Sequence, residues 1–157
     1  FVEELRDVYD AEKQLTKALP KMAKAVQNED LRTAFEEHLE ITHMQVNRLE
    51  EVFKSLGLTA RGKTCDGMKG LIEEGSSHIE ELEGATLDAA LIGAAQKVEH
   101  YEMAGYMTAR NLAQQLKLPE VVQLLQLSLA EEENADQLLN QVARPLMSSA
   151  RMPAHVE

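Results

Sequence analysis

The stretch Val98-Glu99-His100-Tyr101-Glu102-Met103-Ala104-Gly105 lies inside a helical apolar pattern and sets carboxylates where a bundle helix would carry Leu. Val98, Glu102 and Gly105 follow the apolar stripe, and Glu99 lies one helical step from both Ala95 and Glu102. Outward from it, the same substitution recurs on every long amphipathic stretch. Glu12 falls between Val8 and Leu15, Glu40-Ile41-Thr42-His43 interrupts a second stripe, and Glu131-Glu132-Glu133-Asn134-Ala135-Asp136 interrupts a fourth. Burying an unpaired carboxylate costs several kcal/mol or forces its protonation. A chain that does so on four helices is expected to neutralise the charge with something cationic, and two metal ions between the helices are the most economical candidate.

The surrounding pattern gives the order of elements. Leu5, Val8, Leu15 and Leu19 mark a first helix over about residues 2–27, with a kink or break expected at Pro20. A second, over about 30–56, follows the N-capping cluster Asn28-Glu29-Asp30 and stops at Gly57; Leu31, Phe35, Leu39, Val46, Leu49, Phe53 and Leu56 line its buried side. The segment from Leu58 to Thr86 is rich in glycine and reads as a long crossover, with a short helix over about 66–74 and a turn near Ile79. A third long helix spans about 87–116, and a fourth about 120–144, ending at Pro145 before a tail at 146–157. The fold class is therefore all-α: one domain over 1–157, a four-helix bundle of ferritin-like topology, with the extra short helix in the crossover between the second and third long helices. Each half of the chain contributes one carboxylate and then a carboxylate with a partner, a weak internal repeat.

Composition agrees. The 157 residues are 4% aromatic with no Trp, and their apolar mass is Leu, Ala, Val and Met, which is helix composition. A formal net charge of −11 argues against nucleic acid or an anionic membrane as partner. Cys65 is the single cysteine, so no intrachain disulfide forms, and no apolar run is long enough to span a bilayer. The chain reads as a soluble, cytoplasmic protein, and because it opens at Phe1-Val2 without an initiator Met, a short leader or disordered start is expected before it.

Residues three or four apart share a helix face, so Glu40 and His43 can reach one point. Di-iron and di-manganese bundles use one Glu from each of two helices and Glu-x-x-His from the other two. The first half fits with Glu12, Glu40 and His43; in the second half, Glu99 and Glu102 are joined by Asp136 in place of a second His. On the fourth helix Glu133 with Asp136 keeps the three-residue spacing. Glu132, with Leu125, Leu129, Asp136 and Leu139, sits on the apolar series and is preferred for its burial. His38, near the second stripe, is expected to hydrogen-bond to the site or pack beside it, and His100 to lie on the surface or at a dimer interface. Tyr9, Tyr101 and Tyr106 are expected in the core or at an interface, where their hydroxyls need partners. Glu80-Glu81-Leu82-Glu83 reads as a solvated face.

The strings Leu5-Arg6-Asp7, Ala11-Glu12-Lys13-Gln14-Leu15-Thr16-Lys17-Ala18-Leu19, His38-Leu39-Glu40, Thr42-His43, Gly70-Leu71-Ile72-Glu73-Glu74, Asp88-Ala89-Ala90-Leu91-Ile92 and Ala94-Ala95-Gln96-Lys97-Val98-Glu99-His100-Tyr101-Glu102 span nearly the whole chain. On them it resembles the bacterial YciE/YciF-type ferritin-like family, and the YciF type more closely. The resemblance implies a ferritin-like bundle, a two-metal site, a homodimer and an association with stress responses. The third helix is also similar to that of rubrerythrins, where a Glu-x-x-Glu pair supplies ligands, which supports both Glu99 and Glu102. YciF-like proteins often carry a basic residue at the position of Glu133, which again favours Glu132.

The expected function is that of a dinuclear protein, with iron first and manganese second. Glu40 and Glu132 would bridge, with Glu12, His43, Glu99, Glu102 and Asp136 as terminal ligands. It would oxidise Fe(II) or consume O2 or peroxide. The competing expectation is a non-catalytic, metal-stabilised dimer, and a storage cage ranks below both.

Overall fold

The computed structural model describes residues 1–149; the expected tail residues 150–157 lie outside the described residues. Five helices follow one another: α1 (Val2–Ala25), α2 (Glu29–Ser55), α3 (Asp66–Glu81), α4 (Gly84–Gln115) and α5 (Pro119–Ser149), and no strand occurs among the described residues. Packed pairs α1·α2, α2·α5, α5·α4 and α4·α1 close a ring of four, while α3 lies outside it against α1 and α4. Neighbours in the ring run antiparallel. Tyr9 meets Phe53 and Glu50 while Met22 and Phe35 line one cavity, and Arg48 meets Glu131 while Gln96 meets Asn140. The crossover therefore carries the chain back along the bundle, leaving α2 and α4 parallel.

Local chemistry sets the ends. Asn28 caps α2 by accepting from the Leu31 N–H at 2.9 Å, and Asp88 of α4 accepts from the N–H groups of Gln27 and Asn28, both at 2.9 Å. One carboxylate thus ties the α1–α2 turn to α4. Gly57 follows α2 at φ +70°, the left-handed conformation that a helix stop favours.

The expected boundaries shift at two places. The crossover helix runs unbroken through Glu81 instead of ending near 74, with Gly75 buried at an ordinary contact distance from Ala94 of α4. Helix α5 passes through Pro145 to Ser149. The lost hydrogen bond is offset by burial of Leu146, which packs in the core just beyond. Helix α1 likewise passes through Pro20 without a break.

The apolar core is in two parts. One cluster gathers Leu15, Leu19, Phe35, Leu91, Ile92, Leu139 and Leu146, together with Met68 from α3. The other gathers Leu5, Val8, Leu49, Phe53, Tyr106, Leu125 and Leu129. Between them, on each of the four ring helices, lie the buried polar residues: Glu12, His38 with Thr42 and Gln45, Glu99 with Glu102, and Glu132.

Candidate metal centre

The polar layer converges. His38, Glu99, Glu102 and Glu132 each offer one donor atom, and those atoms all lie within 4.8 Å of one another. His38 Nε2 stands 3.2 Å from Glu99 Oε1 and 3.5 Å from Glu132 Oε2. Glu12 enters from α1, fully buried, and its Oε1 accepts a hydrogen bond from the hydroxyl of Tyr106, also fully buried.

The rest of the donor set makes no hydrogen bond. Glu12 Oε2, Glu99 Oε2, both carboxylate oxygens of Glu102 and Glu132, and both ring nitrogens of His38 are buried without a hydrogen bond. Each unsatisfied buried group costs about 1–3 kcal/mol, and so many at one point is not a way to hold a bundle together. Oxygen donors with one imidazole suit hard or borderline cations such as manganese and iron. Four carboxylates also balance two divalent ions, so the residues present fit a dinuclear centre in both charge and donor type.

Without a cation the layer is electrostatically strained. Burial, and then the charge of Glu132, pushes the Glu12 carboxyl well above its ordinary range. Burial raises Glu102 in the same way, with Glu12, Glu132 and Glu99 adding to it, and raises Glu132 with Glu99 adding. Glu99 is pushed up to about 8, chiefly by burial. Burial lowers His38 to about 4. Burial and the neighbouring Glu12 charge drive the Tyr106 hydroxyl upward.

One guarded ion pair flanks the layer. Arg48 of α2 grips Glu131 of α5 through two contacts of 2.8 and 3.0 Å and also donates to Ser128 Oγ at 2.7 Å. Gln45 Nε2 donates to the same carboxylate at 3.1 Å. Glu131 is thereby held by cationic and amide donors beside Glu132.

The expected ligands divide. Glu12, Glu99, Glu102 and Glu132 converge in the buried layer. Asp136 is half-buried at its edge, 3.4 Å from Gln96 Nε2 and 3.3 Å from His100 Nε2, and its charge adds to the rise at Glu99. Glu133 is exposed. The expectation for α2 is corrected: Glu40 and His43 are both exposed, and neither joins the cluster. At about 100° per residue they lie roughly 200° and 140° around the helix from His38, which is the inward residue. His38 is therefore the imidazole of the buried cluster, a residue the sequence places beside the ligands. Its signal was present in the series His38, Thr42, Gln45, Leu49, all buried at helical spacing.

The remaining singled-out residues fall outside the layer. His100 is exposed. Tyr9 donates to Glu50 at 2.9 Å, and burial raises its hydroxyl to about 12. Tyr101 donates to Asp7 at 2.9 Å and stands 3.1 Å from the buried Cys65 Sγ. Of the acidic run, Glu80, Glu81 and Glu83 are exposed.

The sequence matches, over residues 1–151, the family described as a domain of unknown function, DUF892. The chain belongs to that family. It is 48% identical over 145 residues to the protein YciF of Escherichia coli (strain K12), covering 91% of this chain and 87% of that protein. The crystal structure of the E. coli stress protein YciF superimposes with a TM-score of 0.91 at 45% identity, over 95% of each chain. The protein YcfI of Rhodopseudomonas palustris does so with a TM-score of 0.87 at 43% identity, over 90% of this chain and 91% of that one. No described helix is long and apolar enough to cross a membrane.

Proposed function

We propose that this member of the DUF892 family is a ferritin-like bundle protein that holds two metal ions between Glu12, His38, Glu99, Glu102 and Glu132. Iron is the first choice and manganese the second. The observation that carries the reading is the set of buried, hydrogen-bond-free donor atoms in the middle layer of the bundle. The order of two helices, a long crossover and two helices supports the ferritin-like assignment. Bound iron would supply one-electron redox chemistry toward O2 or peroxide, the activity proposed here, and the stress setting printed for the E. coli relative suits it.

The protein's own residues supply the rest. Leu15, Leu19 and Phe35 on one side, and Val8, Leu125 and Leu129 on the other, keep water from the layer. Low local polarity strengthens every charge interaction inside it. Tyr106 fixes the Glu12 carboxylate and holds a proton at its hydroxyl oxygen. Arg48 and Gln45 keep Glu131 turned to themselves, so it does not add a free charge to the cluster. We further propose a homodimer; Leu112 of α4 and Leu116, the residue that caps its C-terminus, are exposed apolar surface of the kind an interface covers. Sizing chromatography tests it, and a monomer elution volume rejects it.

The metal reading is tested by anaerobic Fe(II) titration of metal-free protein, followed by O2 or peroxide, with near-ultraviolet absorbance recorded. Saturation at two irons per chain with a new absorption band after oxidant supports the dinuclear redox reading. Two irons bound with no spectral change leave a metal-stabilised structural protein. Failure to bind rejects the site.

A further inference from the structure

A cavity of about 150 Å³ opens between α2 and α5 and ends on the polar layer. At its mouth stand the exposed Glu37, Asn134 and Leu138. Its walls are Leu15, Leu19, Phe35, Ile41 and Leu139, and its inner end is formed by His38 and Glu99. Both inner residues are more than nine-tenths buried, at 7% and 3% exposure, and both carry polar atoms with no partner. An apolar cavity of about this size lined by Leu, Ile and Phe takes up a molecule as large as benzene, and here the inner end adds polar atoms that a hydroxyl can meet.

We propose that this cavity is a binding pocket for a single-ring, uncharged aromatic molecule bearing one hydroxyl, the phenol class. The ring packs against Leu15, Leu19, Phe35 and Leu139, and the hydroxyl turns inward to Glu99 and His38. The walls select against charge on the ring because they offer it no counter-ion. Glu37 at the mouth repels an anion, and among the described residues no Lys or Arg lines the cavity. The inference deepens the metal-centre reading by naming the molecule class admitted to that layer, and it rests on that layer being the working site.

Isothermal titration of metal-free protein with phenol, toluene and benzoate tests the pocket separately from the metal. Phenol should bind one per chain, about tenfold more tightly than toluene for the one added hydrogen bond, and benzoate should not bind. Ala135→Leu, which fills the cavity from α5, should abolish phenol binding while the protein still titrates with Co(II). Ile41→Ala, which widens the wall, should admit 1-naphthol, which the unaltered protein excludes. Absent phenol binding, benzoate binding as tight as phenol, or phenol binding unchanged by Ala135→Leu each overturns the pocket. Phenol binding in a protein that fails the Fe(II) titration keeps the pocket and removes the metal; the converse result removes the pocket alone.

Discussion

Tyr106 of α4 and Glu12 of α1 meet in the fully buried centre of the bundle, the hydroxyl donating to the carboxylate. The second oxygen of Glu12 is buried without a hydrogen bond. The bond from Tyr106 couples two helices and orients a candidate ligand at once.

Removing it by Tyr106→Phe keeps the ring in place and leaves Glu12 Oε1 without a donor. The cost is about 1–3 kcal/mol, which for a chain of this size lowers Tm by roughly 5 °C. Differential scanning calorimetry of metal-free protein reads the shift. Loaded protein should lose less, since a bound cation satisfies the same oxygen.

Metal removal should make stability depend steeply on pH. The native-state pKa values of Glu12, Glu99, Glu102 and Glu132 are raised, so between about 4.5 and the native value the folded chain holds protons that the unfolded chain has released. Their stabilising contribution is complete below the unfolded pKa and is lost as pH rises, for Glu99 through about 8. His38 acts oppositely: its native value of about 4 lies below the ordinary 6.5, so its contribution is lost as pH falls through that interval. Four carboxylates outweigh one imidazole, and above pH 6.5 they act alone. Metal-free protein should therefore lose on the order of 10 °C in Tm between pH 5 and pH 8, while loaded protein changes little. An identical melting curve with and without metal would count against the site.

Much of this was readable from residues alone. Glu12, Glu99, Glu102 and Glu132 stand on their stripes with apolar residues on both sides, so the helical period places them inward. On α2 the period misled. Its apolar face is broad: Leu39 and Val46 flank the buried strip, and at its centre lie His38, Thr42 and Gln45, which a hydrophobicity pattern scores as surface. The three-residue spacing of Glu40 and His43 then drew the assignment to the wrong side of the helix. The order of the long helices and the long crossover between the second and third were legible from the sequence, but the cavity beside His38 was not, because it arises where side chains of four helices leave space.

That difference on α2 has its own test. His38→Ala should weaken Co(II) or Fe(II) binding by tenfold or more, since it removes the only imidazole of the cluster. His43→Ala and Glu40→Gln, on the exposed face, should leave both affinity and Tm unchanged. Equal losses from His38→Ala and His43→Ala would restore the spacing-based reading and reject the geometry.

The crossover helix offers a prediction about the frame rather than the site. A Cβ at Gly67 would fall 2.5 Å from Tyr101 Cε2, and that ring is fixed by its hydrogen bond to Asp7 and its contact with Cys65. At Gly70, one turn away in the same helix, a Cβ meets nothing within 4 Å. Gly67→Ala must therefore displace α3 from α4 and should cost about 1–3 kcal/mol by overpacking. Gly70→Ala gains helix propensity with no contact to offend and should add about 0.5–1 kcal/mol. Urea unfolding of the two variants reads opposite signs if α3 is seated on Tyr101 as described, and the same sign if it is not.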